Sequence, residues 1–429
     1  MSESQQAAVV GEEVGEGDAP TREFDLIVYG ATGFTGRQAA AYVAAHAPHG
    51  LKWAIAGRSG ARLEAVRKAL ECPVQVLVAD AQDAVKIDAL ARRARVVLTT
   101  VGPYARFGTA LFAACAAAGT HYVDITGETP WVRRMIDVHQ ATAQASGAVM
   151  VPMCGFDSVP SDLGAWMMVD WIRRHWHTGT RSVRTGFKLN GGVNGGTLAS
   201  AMNMGENPQQ QRQMARPFLL DPDPEVVVAR AGARHADPLG PWFDADMGAS
   251  GMWLSPFIMG AVNSRVVRRS AAIHAAAGMP YGADFAYQEG LRVKSRWQGR
   301  MMTVGLAGAA VALSTGAGRA LVRRFAPAPG EGPTDAQMDG GFFSTELVAE
   351  AEDGRKLRGR VKAQGDAGNR NTVKMLCESA FAMCVDRERL PVDGGGVHTP
   401  ATAFGGVLLA RLRAAGMEWT VDEPAGAQA

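Results

Sequence analysis

At 429 residues the chain is too long for one ordinary hydrophobic core, so two domains are expected. Hydrophobic residues at 47% and charged residues at 20% suit a soluble globular protein, and a net charge of +2 without a basic, aromatic-interleaved run argues against nucleic-acid binding. Five scattered cysteines with no CxxC pair, and nine histidines with no HExxH or HxxxH array, disfavour a disulfide framework and a metal site and suit a reduced, cytoplasmic compartment.

Residues 1–22 carry Glu3, Glu12, Glu13, Glu16 and Asp18 among small residues, and lack the basic start and apolar centre of a signal peptide. A disordered tail is expected. Phe24 to Tyr29 then reads as a strand, followed by Gly30-Ala31-Thr32-Gly33-Phe34-Thr35-Gly36 and a strong helix former through Ala45. Strand, glycine turn and helix in that order are the context in which glycines mean dinucleotide binding. Glycine permits the tight turn and the close approach of a pyrophosphate, and the helix N-terminus supplies free N–H donors. Gly30, Thr32, Gly33, Phe34, Thr35 and Gly36 are therefore candidate cofactor contacts. The GxxGxxG spacing is one that often accompanies NADP.

Strands and helical stretches alternate onward to about Val151: strands at 52–56, 74–78, 95–100, 120–124 and 148–151, with a helix at 61–70 and helical patterns in between. Such alternation predicts an α/β fold, a doubly wound parallel sheet whose ligand lies at the carboxyl ends of the strands. An NAD-selective site would place an acid after the second strand. Here Gly57-Arg58-Ser59 stands instead, with Arg58 22 positions past Gly36. A guanidinium can pair bidentately with a 2′-phosphate and Ser59 adds a donor, so NADP(H) is the expected cofactor. A solvated surface arginine is the plainer alternative. Asp80, ending the third strand, is either an adenine-side neighbour or a helix cap.

The loops after strands four to six should surround the nicotinamide. Val101, Gly102 and Pro103 let the chain turn close to the cofactor, and Tyr104 brings a phenol. Asp124 and Glu128 follow the fifth strand, and Cys154 to Asp162, with Asp157 and Ser158, follows the sixth. Each has a structural alternative: Tyr104 can merely pack, and Glu128, Asp157 or Ser158 can cap a helix.

With these residues in view, the strings GATGFTG (30–36), AGR (56–58), VGPY (101–104), GTHYVDITGE (119–128) and CGFDSVPSD (154–162) resemble the saccharopine dehydrogenase-like oxidoreductases. Within that group the chain is most similar to the trans-acting enoyl reductases. The likeness continues through 195–200, 364–366 and 394–404, and departs at Gly365-Asp366-Ala367-Gly368-Asn369, where proline and an aromatic are expected. The resemblance implies an NADP-binding Rossmann domain (23–155, with a C-terminal return at about 395–422) and an inserted α+β domain for substrate and dimerisation (156–394). Short-chain dehydrogenase chemistry is excluded, because none of the six tyrosines has a lysine four positions on.

Farther along, Asn190 to Thr197 is a glycine-rich turn that either lies against substrate or joins a strand to the next helix. Phe325 to Asp339 reads as an exposed linker, 346–351 and 357–363 as a hairpin turning at Asp353-Gly354, and 371–385 and 402–414 as helices. Met301 to Gly318 is 18 residues without a charge, with arginines on both sides. It is read as a buried or surface-lying segment, with peripheral membrane contact and a true span as alternatives. Taken with these features, the resemblance implies an NADPH-dependent reductase of a hydrophobic lipid or polyketide-type substrate, carried on an acyl carrier or polyketide synthase, and a homodimer. The candidate proton donors are Tyr104, then Ser158 and Thr197, with Asp157 as an orienting carboxylate. An amino-acid-linked reductase of saccharopine type and a non-catalytic NADP-binding scaffold are the alternatives.

Overall fold

The computed structural model describes residues 22–192, 195, 199–200, 202–203, 207–223, 235–325 and 330–422. The expected N-terminal tail and Thr197 lie outside them; Arg22 anchors the chain through hydrogen bonds to the carbonyls of Arg92 and Ala118.

The first sheet is parallel throughout, with β1 (Phe24–Tyr29), β2 (Trp53–Gly57), β3 (Gln75–Val78), β4 (Ala94–Thr99), β5 (His121–Asp124), β6 (Val149–Val151) and a short β13 (Gly396–Val397) in the order β13-β6-β5-β4-β1-β2-β3. Strand order reverses at β1, so a crevice opens between the carboxyl ends of β1 and β4. The strands are apolar runs because both faces are covered, and their alternation sorts side chains into two cores. Leu26, Val28, Val96 and Leu98 face α1 (Phe34–His46) and α13 (Thr372–Val385). Ile27, Tyr29, Val97 and Tyr122 face α3 (Ala84–Arg92), α5 (Thr109–Ala118) and α6 (Thr129–Ser146).

The second sheet is mixed. Its order is β14-β12-β11-β7-β10-β9-β8, with β8 (Trp242–Asp244) and β9 (Met252–Ser255) at one edge and only β7 (Thr180–Asn190) and β10 (Ala286–Val293) parallel. The expected hairpin is there as β11 (Phe342–Ala351) and β12 (Lys356–Gln364), longer than read from sequence, with Gly354 at φ +89° in the turn. The chain's return differs from expectation in two ways. Residues 372–385 already cover the first sheet, because its second face would otherwise be bare, while β14 (Glu418–Asp422) pairs with β12 in the second sheet. Helix α7 (Val159–Trp176), α13 and α14 (Pro400–Ala414) tie the two sheets into one continuous core that runs from Leu26 to Phe187, Phe343 and Val361.

Two other segments depart from the sequence reading. Part of the expected linker is folded: Gly332 sits on the Phe34 ring, where a Cβ would lie 2.5 Å from Cζ, and a short α12 (Asp335–Asp339) follows. The uncharged stretch is not buried. It forms α10 (Arg296–Ser314) and part of α11 (Gly316–Phe325), and within 296–322 Gly299 alone is buried. Among the described residues no single helix is long and apolar enough to cross a membrane.

Candidate active site at the carboxyl ends of the first sheet

Sterics shape the glycine turn. Gly30 has φ +92°, and a Cβ there would lie 2.6 Å from Val101 Cγ2; at Gly36 a Cβ would lie 2.0 Å from the Gly30 carbonyl oxygen. Neither position tolerates a side chain without the turn opening. Gly33 differs: a Cβ would meet only the Gly30 oxygen, at 3.3 Å, so the space beyond it is open. Gly33 also caps α1, whose first turn has no side-chain acceptor and no acidic residue. Open space over free N–H groups at a helix start is a cradle for a diphosphate.

Arg58 extends from the end of β2, exposed and without an ion pair or hydrogen bond among the described residues. Ser59 caps α2 (Gly60–Leu70), accepting from the Arg62 N–H at 3.5 Å, which leaves its own proton to donate. Thr32 Oγ1 lies 3.9 Å from where a Gly57 Cβ would be, so its hydroxyl flanks the same loop. Asp80 is exposed at the end of β3 and accepts from the Gln82 N–H at 3.0 Å, while the cap of α3 is Asp83. A shaped phosphate turn beside an uncommitted guanidinium fits NADP(H). Phe34 is half-buried beneath Gly332, and Arg37 donates to the Gly330 carbonyl at 3.4 Å, so residues 330–332 of the second unit lie over the start of α1.

On the far side of the crevice, Thr100 Oγ1 donates to the Gly30 carbonyl at 3.5 Å and the Val101 N–H to Thr99 Oγ1 at 3.2 Å, which joins the 99–103 loop to the glycine turn. Gly102 leaves room for Ser200, whose Oγ would be 3.7 Å from a Cβ there. Tyr104 does not present its hydroxyl. It is 4% exposed, donates to the Thr99 carbonyl at 3.2 Å and accepts from the Ile125 N–H at 3.4 Å. The cause is Glu128, a buried carboxylate that accepts from the Tyr104 and Ala105 N–H groups at 2.8 and 3.0 Å. It pins the start of α4 (Tyr104–Phe107) and turns the ring onto Trp131. Burial, with Asp124 and Glu128 nearby, holds the phenol well above its usual pKa. The sequence expectation of Tyr104 as first candidate proton donor thus meets a hydroxyl that is buried and already bonded on both sides. Glu128 takes a third bond, from Ser200 Oγ at 2.9 Å, and so links the two units.

Asp124 is structural as well. It accepts from the N–H groups of Thr126 and Met153 at 2.9 Å each and from the Tyr122 hydroxyl at 2.7 Å, and burial pushes it up to about 6. Asp157 contrasts with it. It is half-buried, burial pushes it up to about 6, and it has no hydrogen-bond or ionic partner among the described residues. Its neighbour Ser158 is fully buried, its Oγ donating to Asn263 Oδ1 at 3.4 Å.

That contact leads to a network the sequence did not reveal. Asn263 Nδ2 donates to Glu289 at 2.8 Å, and Ser161 Oγ and the Tyr287 hydroxyl donate to its other oxygen at 2.7 Å each. Burial outweighs these donors and pushes Glu289 up to about 7. The only local signal is that Tyr287 and Glu289 share one face of β10, an inward face that an apolar residue would normally fill. A cluster of aromatic rings, buried except for Phe257, belongs to the core next to Asp157. Phe156 packs edge-on against Phe343 at 4.9 Å and against Phe187 at 6.0 Å, and Phe257 packs on Phe187 at 5.0 Å. Met259 reaches to 3.7 Å from where a Gly127 Cβ would be.

Residues 26–151 match the family of saccharopine dehydrogenase NADP-binding domains. Over 93% of this chain and 97% of its own length, a provisionally named trans-acting enoyl reductase of Mycobacterium tuberculosis is 39% identical. A trans-acting enoyl reductase of Mycobacterium leprae is 35% identical, over 92% of this chain and 97% of its own. Among solved structures, apo saccharopine dehydrogenase (L-Glu forming) from Saccharomyces cerevisiae shares the fold, with a TM-score of 0.50 at 13% identity over 93% of this chain and all of that one. With the phosphate cradle and the free Arg58, these likenesses make the chain an NADP(H)-dependent oxidoreductase, and it belongs to the saccharopine dehydrogenase-like family, in the group of the trans-acting enoyl reductases.

Proposed function

We propose that the protein reduces the carbon–carbon double bond of an enoyl thioester on a hydrophobic, lipid or polyketide-type chain carried to it by an acyl carrier. The names of its relatives suggest the reaction. The observation that carries the reading is Asp157: a half-buried carboxyl with no partner among the described residues, next in sequence to Phe156 of the aromatic cluster, and pushed by burial up to about 6. Bound NADPH supplies a hydride for the β-carbon. The chain's own groups must then hold the thioester oxygen as it gains negative charge and deliver a proton to the α-carbon. Asp157, neutral in a substantial fraction near pH 6, is the proposed proton donor. Ser158 holds the turn through Asn263, and Thr197 is the proposed hydroxyl partner of the thioester oxygen. Tyr104 and Glu128 keep the 101–105 backbone in place beside the glycine turn. The partly exposed Phe257, backed by the buried aromatic cluster, offers apolar surface for an alkyl chain.

A rate comparison tests the reading. NADPH oxidation is followed with enoyl thioesters of increasing chain length, and with the imine mixture formed by an amino acid and a 2-oxo acid. Rates that rise with chain length support the proposal, and turnover of the imine mixture alone replaces it with amino-acid chemistry.

A further inference from the structure

Helices α10 and α11 leave the body of the protein. Among the described residues only the first turn of α10 packs on that body, with a Cβ at Gly299 lying 2.6 Å from Pro241 Cβ and 3.5 Å from Val293 Cγ2. Beyond it the apolar side chains stand in the open: Trp297 is 69% exposed, Val304 68%, Val311 65% and Leu321 62%. A helix that is apolar around its circumference is normally buried in protein or lipid, and beyond its first turn this one has none of the described residues packed around it except α11.

The end of α10 is built for a place without water. The two helices meet at 109°. The bend is specified, since a Cβ at Gly318 would lie 2.1 Å from the Ala312 carbonyl oxygen. Three of the last carbonyls of α10 are taken up internally. Val311 accepts from Ser314 Oγ at 2.7 Å, Ala312 from Thr315 Oγ1 at 3.1 Å, and Leu313 from Arg319 Nη1 at 2.9 Å. Water would satisfy such groups on an ordinary surface helix, whereas hydrocarbon cannot.

Charge identifies the occupant. Residues 296–325 contain five arginines and no acidic residue. Arg296, Arg300 and Arg324 are exposed and make no ion pair or hydrogen bond among the described residues. We propose that the bent α10–α11 pair docks the protein on an anionic lipid surface, its tip entering one leaflet and its flanking arginines held by phosphate headgroups. The uncharged run 301–314 extends about 21 Å at 1.5 Å per residue, short of a hydrocarbon core of about 30 Å, so the pair enters and turns back. The apolar surface is thin, mostly alanine, glycine and valine, so the electrostatic part is needed for binding.

The test is flotation of the full chain with vesicles of phosphatidylcholine alone and with about a third phosphatidylglycerol, at low and high salt. The expected result is co-flotation with the anionic vesicles only, weakened by salt. Replacing Arg296, Arg300 and Arg324 by Gln should weaken binding by about fivefold per arginine, and Val304→Asp with Val311→Asp should abolish it. Both variants change exposed residues, and unaltered NADPH affinity and melting temperature confirm that they fold. Three results would each overturn the proposal: no flotation with anionic vesicles, equal flotation of both variants and the parent, or a parent dimer that the double aspartate variant converts to monomer while neither floats. The last would assign the surface to a second copy of the chain.

Discussion

Arg58→Ala isolates cofactor choice from everything else in the fold. The Arg58 side chain is exposed and bonds to nothing among the described residues, so its loss removes no native contact, and the unfolding midpoint should not move. What the substitution removes is a charge-assisted pair with the 2′-phosphate, which only NADPH has. A hydrogen bond to a charged group contributes about 1.5–3 kcal/mol, so the dissociation constant for NADPH should rise by roughly 12- to 160-fold. NADH has a hydroxyl at that position and should bind the variant and the parent within about twofold. Isothermal titration of both cofactors against both proteins, at one fixed ionic strength, reads the difference directly. Arg58→Lys should recover only part of the loss, because an ammonium cannot make the paired contact. Equal weakening of NADPH and NADH would refute the reasoning, since it would mean that Arg58 supports the turn rather than the phosphate.

Three further outcomes follow from the geometry. Gly36→Ala forces a methyl to 2.0 Å from the Gly30 oxygen, so urea unfolding should show a loss of about 1–3 kcal/mol or more, with weaker NADPH binding; a neutral result would mean that the turn yields freely. Asp157→Asn should lower turnover by about two to four orders of magnitude with NADPH affinity unchanged, and parent turnover should fall as pH rises through about 6, the value to which burial pushes the acid; an unchanged pH profile would remove Asp157 as the donor. Glu289, pushed up to about 7, holds a proton in the folded state that the unfolded chain has lost. Its contribution to stability therefore falls as pH rises from about 4 to 7 and levels off above, by at most about 1.4 kcal/mol per pH unit. Glu289→Gln should remove that slope from unfolding free energies measured between pH 5 and 8, and an identical slope in the variant would place the titration elsewhere.

How much of this was legible in the sequence depended on the range of the interactions. The glycine turn reads locally because its tightest constraint is local: a Cβ at Gly36 would strike the Gly30 carbonyl, six residues earlier. Arg58 reads well because the end of a parallel strand fixes where its loop must emerge. Tyr104 does not, since its orientation is decided by Glu128, a carboxylate beyond the next strand. The Glu289 network was invisible because it needs β7 beside β10, which sets Glu289 opposite Thr185, and Asn263 from a separate helix. The cover of the first sheet by residues 372–385 was hidden for the same reason: an apolar helix does not announce which sheet it will cover. Likewise, the absence of charge over 301–318 was plain, but whether anything packs on it is a tertiary fact.

The most direct measurement of the central claim is a single turnover with NADPH deuterated at C4, using a hydrophobic enoyl thioester and mass spectrometry of the product. The proposed function predicts one deuterium at the β-carbon, an α-hydrogen from solvent, and no label transfer when NADH replaces NADPH at equal concentration. An unreduced thioester, in protein shown to bind NADPH and to transfer the label to an imine instead, would contradict it.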